Sequence, residues 1–352
     1  MADQLSIPRA VAPSSETAFT AQGPQRGGRP AAGALGWLWL IAGSRPLRLL
    51  GRAILIAFGM MCIAFALVRM LPGDPVSILL GENATQEAVS QMRELLGLNG
   101  SLPEQFVRYV GGLLHGNLGT SIVNRAPVSD LVGRTLPVTG QLVLFTVALT
   151  VVISLPLGTA AAIYRRTRFN YVFRVLTSVL VATPLFFSGL LALLLFAIRL
   201  QLAPVAGFEP QFPANLAHLW LPALVMCGTL VPVLARVIQT SVVETLDQEF
   251  VETAIVRGLS ARIRVWRYLL RPSLGPSVGL LGFLTGQLLA SAVLAGLVFD
   301  IPGIGRALVQ AVLGRDYPVV QGIVFVFGFI VVVVSFFADL VSGWIDPRTG
   351  RA

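Results

Sequence analysis

Apolar residues along this chain gather into long runs separated by shorter polar stretches. Six runs reach or approach the ~20 residues that a helix needs to cross a hydrocarbon layer of ~30 Å: 47–70, 142–164, 175–198, 219–237, 278–299 and 319–344. The pattern predicts an all-α integral membrane protein with six transmembrane helices and both ends on one side. Ahead of the first run, residues 1–44 are rich in Pro, Gly, Ala, Ser and Gln, which predicts a largely disordered tail. Its apolar patch at 31–43, with Trp37 and Trp39, is too short to span and is expected to lie in the interface.

Arginine sets the expected orientation. Arg165, Arg166, Arg168 and Arg174 crowd the second loop, and Arg257, Arg262, Arg264, Arg267 and Arg271 the fourth. The third loop holds only Arg199 and the fifth only Arg306 and Arg315. Positive loops stay in the cytoplasm, so the second and fourth loops and both termini are expected there. The first external stretch, 71–135, opens on Leu71-Pro72-Gly73-Asp74-Pro75, whose prolines and glycine stop the first span. Glu82, Glu87, Arg93, Glu94 and Glu104 then recur in a helix-like pattern before a Gly-rich segment, 111–119, so a helical external cap is expected after helix one.

The fourth loop, 239–276, carries its own helical signals. Residues 245–257 are helix-compatible, with Asp247 and Glu249 in the first turn, where carboxylates suit the helix dipole, and Gly258 at the C-terminal cap. Ala254 and Gly258 fall four apart on one face, leaving room for a close partner. A second helix is expected from Ala261 to about Leu270, ended by Pro272. On it Arg264, Arg267 and Arg271 share one side and Ile263, Trp266 and Leu270 another. Two readings fit this amphipathic pattern: a docking piece, or a connector lying on the membrane surface.

Composition narrows the function. Hydrophobic residues make up 55% of the 352 and charged residues only 12%, excluding a water-soluble globule. The net charge of +9 resides in short loops where it serves orientation rather than nucleic-acid binding. No lysine occurs, so all 26 basic residues are arginine, and no Walker-type P-loop, which needs its lysine, can reside in the sequence. Any ATP-driven work therefore belongs to another subunit. Cys62 and Cys227 fall in apolar runs without metal-ligand spacing and are read as packing residues. His115 and His218 are isolated and read as surface residues. Polar groups within the spans include Gln141, Thr146, Thr183, Ser188 and Arg236. On the fifth helix Thr285, Gln287 and Ser291 are candidates for a translocation pathway, although Ser and Thr also bond to their own helix backbone. A membrane-embedded enzyme lacks a nucleophile–base pair, paired acids or metal ligands at depth, and a proton-coupled channel or carrier lacks embedded charges for a relay.

Four places together resemble the permease subunits of ABC-type importers for dipeptides, oligopeptides and nickel. They are the segment from Leu71-Pro72-Gly73-Asp74-Pro75-Val76 through Leu96-Gly97-Leu98 to Gly116-Asn117-Leu118-Gly119-Thr120-Ser121; the 239–276 loop; Pro302-Gly303-Ile304-Gly305-Arg306 with Arg315-Asp316-Tyr317-Pro318; and Asp346-Pro347-Arg348. The likeness covers residue 45 to the end. It implies a cytoplasmic EAA-type coupling loop between helices four and five, in which Glu252, Thr253, Ala254, Arg257, Gly258, Leu259, Ser260 and Arg271 contact the ATPase. The sequence departs from the family pattern at Glu252, Tyr268, Pro272 and Gly296. The resemblance further implies a homologous second permease subunit, two ATPase subunits or domains that hold ATP and Mg, and an extracytoplasmic substrate-binding protein. No cofactor is expected in this chain. Arg306, Arg315, Asp316 and Tyr317 are candidates for docking that binding protein. The expected setting is a bacterial inner membrane and the expected cargo small peptides; nickel, glutathione and opine importers share the same motifs.

Overall fold

The computed structural model of the chain describes residues 45–70, 76, 85–95, 100–211 and 213–345. The 1–44 tail with its interfacial patch, the 71–75 turn, Leu96-Gly97-Leu98 and Asp346-Pro347-Arg348 lie outside the described residues. The chain divides into two units, Met1–Leu47 and Arg48–Ala352, and apart from the opening turn of the first helix the description concerns the second. Regular structure among the described residues is helical, with one isolated antiparallel bridge between Thr120 and Pro127.

Helix α1 is Arg45–Met70, followed by the short α2, Gln86–Leu95, and α3, Leu102–Leu114. Both short helices are amphipathic and acidic in the first turn, and Ser101 and Glu104 form a reciprocal capping box at the start of α3. The expected external cap is therefore helical where it is described. Helix α4 is Val128–Ile163, α5 is Arg168–Ala182 and α6 is Leu185–Arg199, the last ending in a π-turn from Leu193. Helix α7, Asn215–Leu246, leads into the short α8, Glu249–Val256. Helix α9 runs from Ala261 to Val298, α10 is Ile304–Leu313 and α11 is Tyr317–Ile345.

Four of these helices, α4, α7, α9 and α11, are long and apolar enough to cross a membrane. In α7 the apolar window is 67% buried, against 28–39% in the other three, so α7 is the axis around which the others pack. Its Leu219, Leu221 and Met226 join Leu142 of α4 and Leu284 and Leu288 of α9 in the main core. Close approach replaces hydrophobic drive between helices in an apolar solvent. A β-carbon at Gly158 of α4 would lie 2.5 Å from the Ala235 carbonyl of α7, and one at Gly282 of α9 would overlap Ala338 of α11.

Four expectations about the helices are corrected. The 175–198 run is not a straight span: α5 and α6 meet at 102°. Pro184 is the cause, because a residue before proline is driven out of the helical region, and Thr183 is extended at φ −83°, ψ 122°. Of the six expected spans, the described residues show four helices long and apolar enough to cross, the bent pair as a fifth candidate, and a shorter apolar stretch, Leu50–Ala66, within α1. Helix α4 starts at Val128, not near 142, because Pro137 and Pro156 are accommodated inside it. The 239–276 loop is also much shorter, since α7 continues to Leu246 and α9 already runs from Ala261. Pro272 does not end a helix. The π-turn at Arg264–Leu270 widens the ladder just before it, where the proline ring would otherwise strike the carbonyl four residues back.

Candidate coupling elbow and translocation face

The turn between α7 and α9 is built around α8. Asp247 caps the end of α7, Gln248 is extended, and α8 begins with Glu249 and Glu252 in its first turn, where their charge faces the positive end of the helix. Asp247, expected in that first turn, belongs to the previous helix instead. Gly258 lies at φ +68°, with its N–H donating to Ile255 (2.9 Å) and the Leu259 N–H donating to Ala254 (3.3 Å). This pair of bonds is the Schellman stop, whose left-handed residue favours glycine.

Helix α8 turns Val251 (3% exposed) and Ala254 (2%) into the chain and leaves Phe250, Ile255 and Val256 (82%) bare beside exposed Glu252, Thr253 and Arg257. Ala254 is thus spent on internal packing rather than on an open small-residue face. Gly258, in contrast, has nothing within 4 Å of its missing β-carbon. Leu259 is half-buried, and Ser260 and Arg271 are exposed. Along the start of α9, Leu269 and Leu270 are buried while Ile263 and Trp266 are exposed, so the expected apolar face is divided. The π-turn rotates the residues after it relative to an ideal helix and separates Leu270 from Ile263 and Trp266.

One ion pair braces the elbow from the side. Arg165, just after α4, grips Asp247 with two hydrogen bonds of 3.1 and 3.0 Å. The bond from Arg165, with its charge and that of Arg166, holds the Asp247 carboxyl below the usual carboxylate range.

On α9, Phe283, Gln287, Ala290, Leu294 and Leu297 are all exposed. They recur at intervals of four and three residues, an uncovered seam with the spacing of helix-to-helix contact. Gln287 is the polar member of that seam. Thr285 and Ser291 instead donate to the backbone of their own helix, at Leu281 (2.7 Å) and Gln287 (3.4 Å).

The start of α4, helix α10 and the start of α11, at the end of the bundle away from the elbow, form a second joint, outer with respect to the elbow. Asp316 is 4% exposed and accepts from the Ser121 hydroxyl and from the Ile122 N–H (3.1 Å), tying the loop before α4 to the start of α11. Thr139 of α4 accepts from the Ile304 N–H (3.0 Å), satisfying a donor that the first turn of α10 would leave free. Ile304, Val319 and Ile323 pack with Val128 behind these bonds. Of the docking candidates, Asp316 and Tyr317 are buried, Arg306 pairs with Asp300, and Arg315 is exposed at φ +53°. Sequence reasoning missed Thr139 and the pairings Ser121–Asp316 and Arg165–Asp247; these partners are 82 or more residues apart, and no local pattern announces them. Among the described residues no three His, Cys, Asp or Glu side chains could hold a metal.

Residues 154–351 match the family described as binding-protein-dependent transport system inner membrane component, and residues 46–143 match its N-terminal companion. The chain belongs to this family. The probable D,D-dipeptide transport system permease protein DdpB of Escherichia coli is 35% identical, over 85% of this chain and 95% of that protein. The di/tripeptide transport system permease protein DppB of Pseudomonas aeruginosa is 33% identical, over 86% and 97% respectively. A solved structure, titled as an amino acid ABC transporter with histidines, aligns at a TM-score of 0.45 with 15% identity, over 62% of this chain and 94% of that one. This family member is accordingly a multi-pass membrane permease component rather than an enzyme.

Proposed function

We propose that this chain forms half of the transmembrane pathway of an ATP-driven importer, taking small peptides from an extracytoplasmic binding protein. The peptide assignment rests on the names of relatives that align over almost their whole length. The observation that carries the coupling role is α8: an isolated two-turn helix, fixed from inside by Val251 and Ala254, that leaves Phe250, Ile255 and Val256 bare. Bare apolar side chains on a polar loop fit a groove on a partner protein. That partner is an ATPase carrying ATP and Mg, since this sequence has no P-loop lysine. ATP shifts the transporter only by its unequal affinity for the inward-facing and outward-facing states, and α8 hands that difference to α7 and α9.

The seam through Gln287 meets a second, homologous permease subunit and borders the pathway. Arg315 and the exposed rim of the outer joint receive the binding protein, with Asp316 and Tyr317 shaping that rim from within. Both termini and the elbow lie on the cytoplasmic side of a bacterial inner membrane in this reading, which the arginine distribution supports.

Purification should bring the ATPase along. At Gly258 the φ of +68° strains any other residue by about 1–2 kcal/mol, a cost that Gly258→Ala carries alone as the control, whereas Gly258→Trp, with nothing within 4 Å, adds a bulky ring on the docking face. The variant should insert and assemble while uptake and substrate-stimulated ATP hydrolysis fall to background; unaltered uptake and hydrolysis would refute the docking role. Identifying the binding protein and measuring its ligand tests the cargo. A peptide is expected, and nickel, glutathione or an opine would replace the peptide reading while leaving the permease intact.

A further inference from the structure

Between α5 and α7 lies a groove of about 350 Å³ lined by Arg174, Ser178, Arg236, Gln239 and Thr240. It takes no part in the elbow, the seam or the outer joint. Arg236 is fixed on one edge: its Nε and Nη2 donate to the Thr177 hydroxyl at 3.0 and 2.9 Å, and Nη2 also donates to the Ser178 hydroxyl at 2.8 Å. Thr177 is buried, so this grip is anchored in the bundle. The guanidinium is held in one plane with its Nη1 N–H groups left over. Arg174 adds a second cation on the same groove. Among the described residues the ion pairs are Arg165–Asp247 and Arg306–Asp300, so neither groove arginine has a carboxylate partner.

Two uncompensated guanidinium groups converging beside hydroxyls make a site for an oxyanion. The surroundings say what carries it. Tyr171 (72% exposed), Val175 and Val179 of α5 are bare and sit at helical spacing around Arg174 and Ser178. A soluble anion has no use for that apolar border, whereas a lipid covers it with acyl chain and offers its phosphate to the arginines.

We propose that this groove binds the phosphate of an anionic phospholipid from the cytoplasmic leaflet. Such basic pockets at the inner ends of spanning helices are a recurrent way to hold a lipid headgroup. The site braces α5 against α7, whose far end leads directly into the coupling helix.

The test is native mass spectrometry of the detergent-purified transporter complex, titrated separately with phosphatidylglycerol, phosphatidylcholine and inorganic phosphate. Phosphatidylglycerol should remain bound where phosphatidylcholine is lost. The double substitution Arg174→Gln with Arg236→Gln should weaken retention by about tenfold or more, as expected for removing two surface cations. Should the double variant fail to assemble, Arg174→Gln alone suffices, because Arg174 makes no side-chain bond that holds the bundle among the described residues. It should give a smaller loss in the same direction. Equal retention of both lipids, or phosphatidylglycerol binding unchanged in Arg174→Gln, overturns the proposal. Binding of inorganic phosphate without preference between the lipids also overturns it, in favour of a soluble-anion site.

Discussion

The two ends of the bundle are finished in opposite ways. At the outer joint the buried polar groups are paired within the chain: Asp316 takes the Ser121 hydroxyl and the Ile122 N–H, and Thr139 takes the Ile304 N–H, backed by a small buried apolar cluster, with Val312, Leu313 and Arg315 left exposed only at the rim. At the elbow the polar side chains of α8 face outward and Phe250, Ile255 and Val256 stand bare, the last 82% exposed, with open space around Gly258. An end that satisfies itself is held by its own free energy. An end that leaves apolar surface uncovered is completed by something else. Substitutions at the outer joint should therefore be read in stability, and those at the elbow in coupling.

The largest stability effect is expected at Asp316. Replacing it by Ala strands a buried hydroxyl and a backbone N–H that a carboxylate had satisfied, at a cost of about 3 kcal/mol. Thermal unfolding in detergent should show a clear drop in Tm, while any complex that still assembles keeps its ATPase contact. Asp316→Asn, which preserves one acceptor oxygen, should recover part of the loss. If Asp316→Ala were as stable as the parent, the outer joint would not be the self-sufficient end. Next comes Thr139→Val, a change of nearly equal shape that removes the acceptor for Ile304. It should cost about 1 kcal/mol by the same assay.

The opposite outcome is expected for Val256→Asp. A side chain this exposed changes stability by about 0.5 kcal/mol or less, so Tm should not move. Copurification of the ATPase and substrate-stimulated hydrolysis should both fall sharply, because a carboxylate would have to enter an apolar groove. A variant that loses stability and keeps its coupling would reverse the comparison between the two ends.

How far these ends could be read in the sequence follows the same division. The elbow was legible because its signals are local: acidic residues in a first turn, a glycine stop whose φ of +68° the sequence required, and an arginine-rich flank. Its length was misread because the helix before it was ended where polar residues begin, although it continues to Leu246, and because Pro272 was taken as a stop. Pro272 instead follows a π-turn that relieves its clash. Pro184, with its extended neighbour Thr183, does break a span as the rule supposes, and it does so inside a run counted as one helix. The outer joint was legible as a set of conspicuous residues but not as an arrangement. Asp316 looks like an exposed docking charge until Ser121, 195 residues away, is seen beneath it. The seam on α9 needed the fold as well, since Gln287 and Ser291 look alike in sequence, yet Ser291 donates to its own backbone and Gln287 stands in the exposed row.

The smallest effect is expected at the brace between Arg165 and Asp247, which reaches from α4 to the entrance of α8. Both groups face water, so salt screens them and the pair contributes little to overall stability. Its pH dependence has a definite sign. The folded protein holds the Asp247 carboxyl below its unfolded value of about 3.9, so the contribution is fully present above that pH and is lost as pH falls through the lower folded value. Arginine stays charged throughout. Between about pH 5 and 8, Asp247→Asn should therefore differ from the parent by a small constant amount in ATPase stimulation. The two should converge only under acid conditions, and raising the ionic strength at neutral pH should narrow the gap. A gap that opened or closed near pH 7 would mean that a different group, not this carboxylate, holds the elbow to α4.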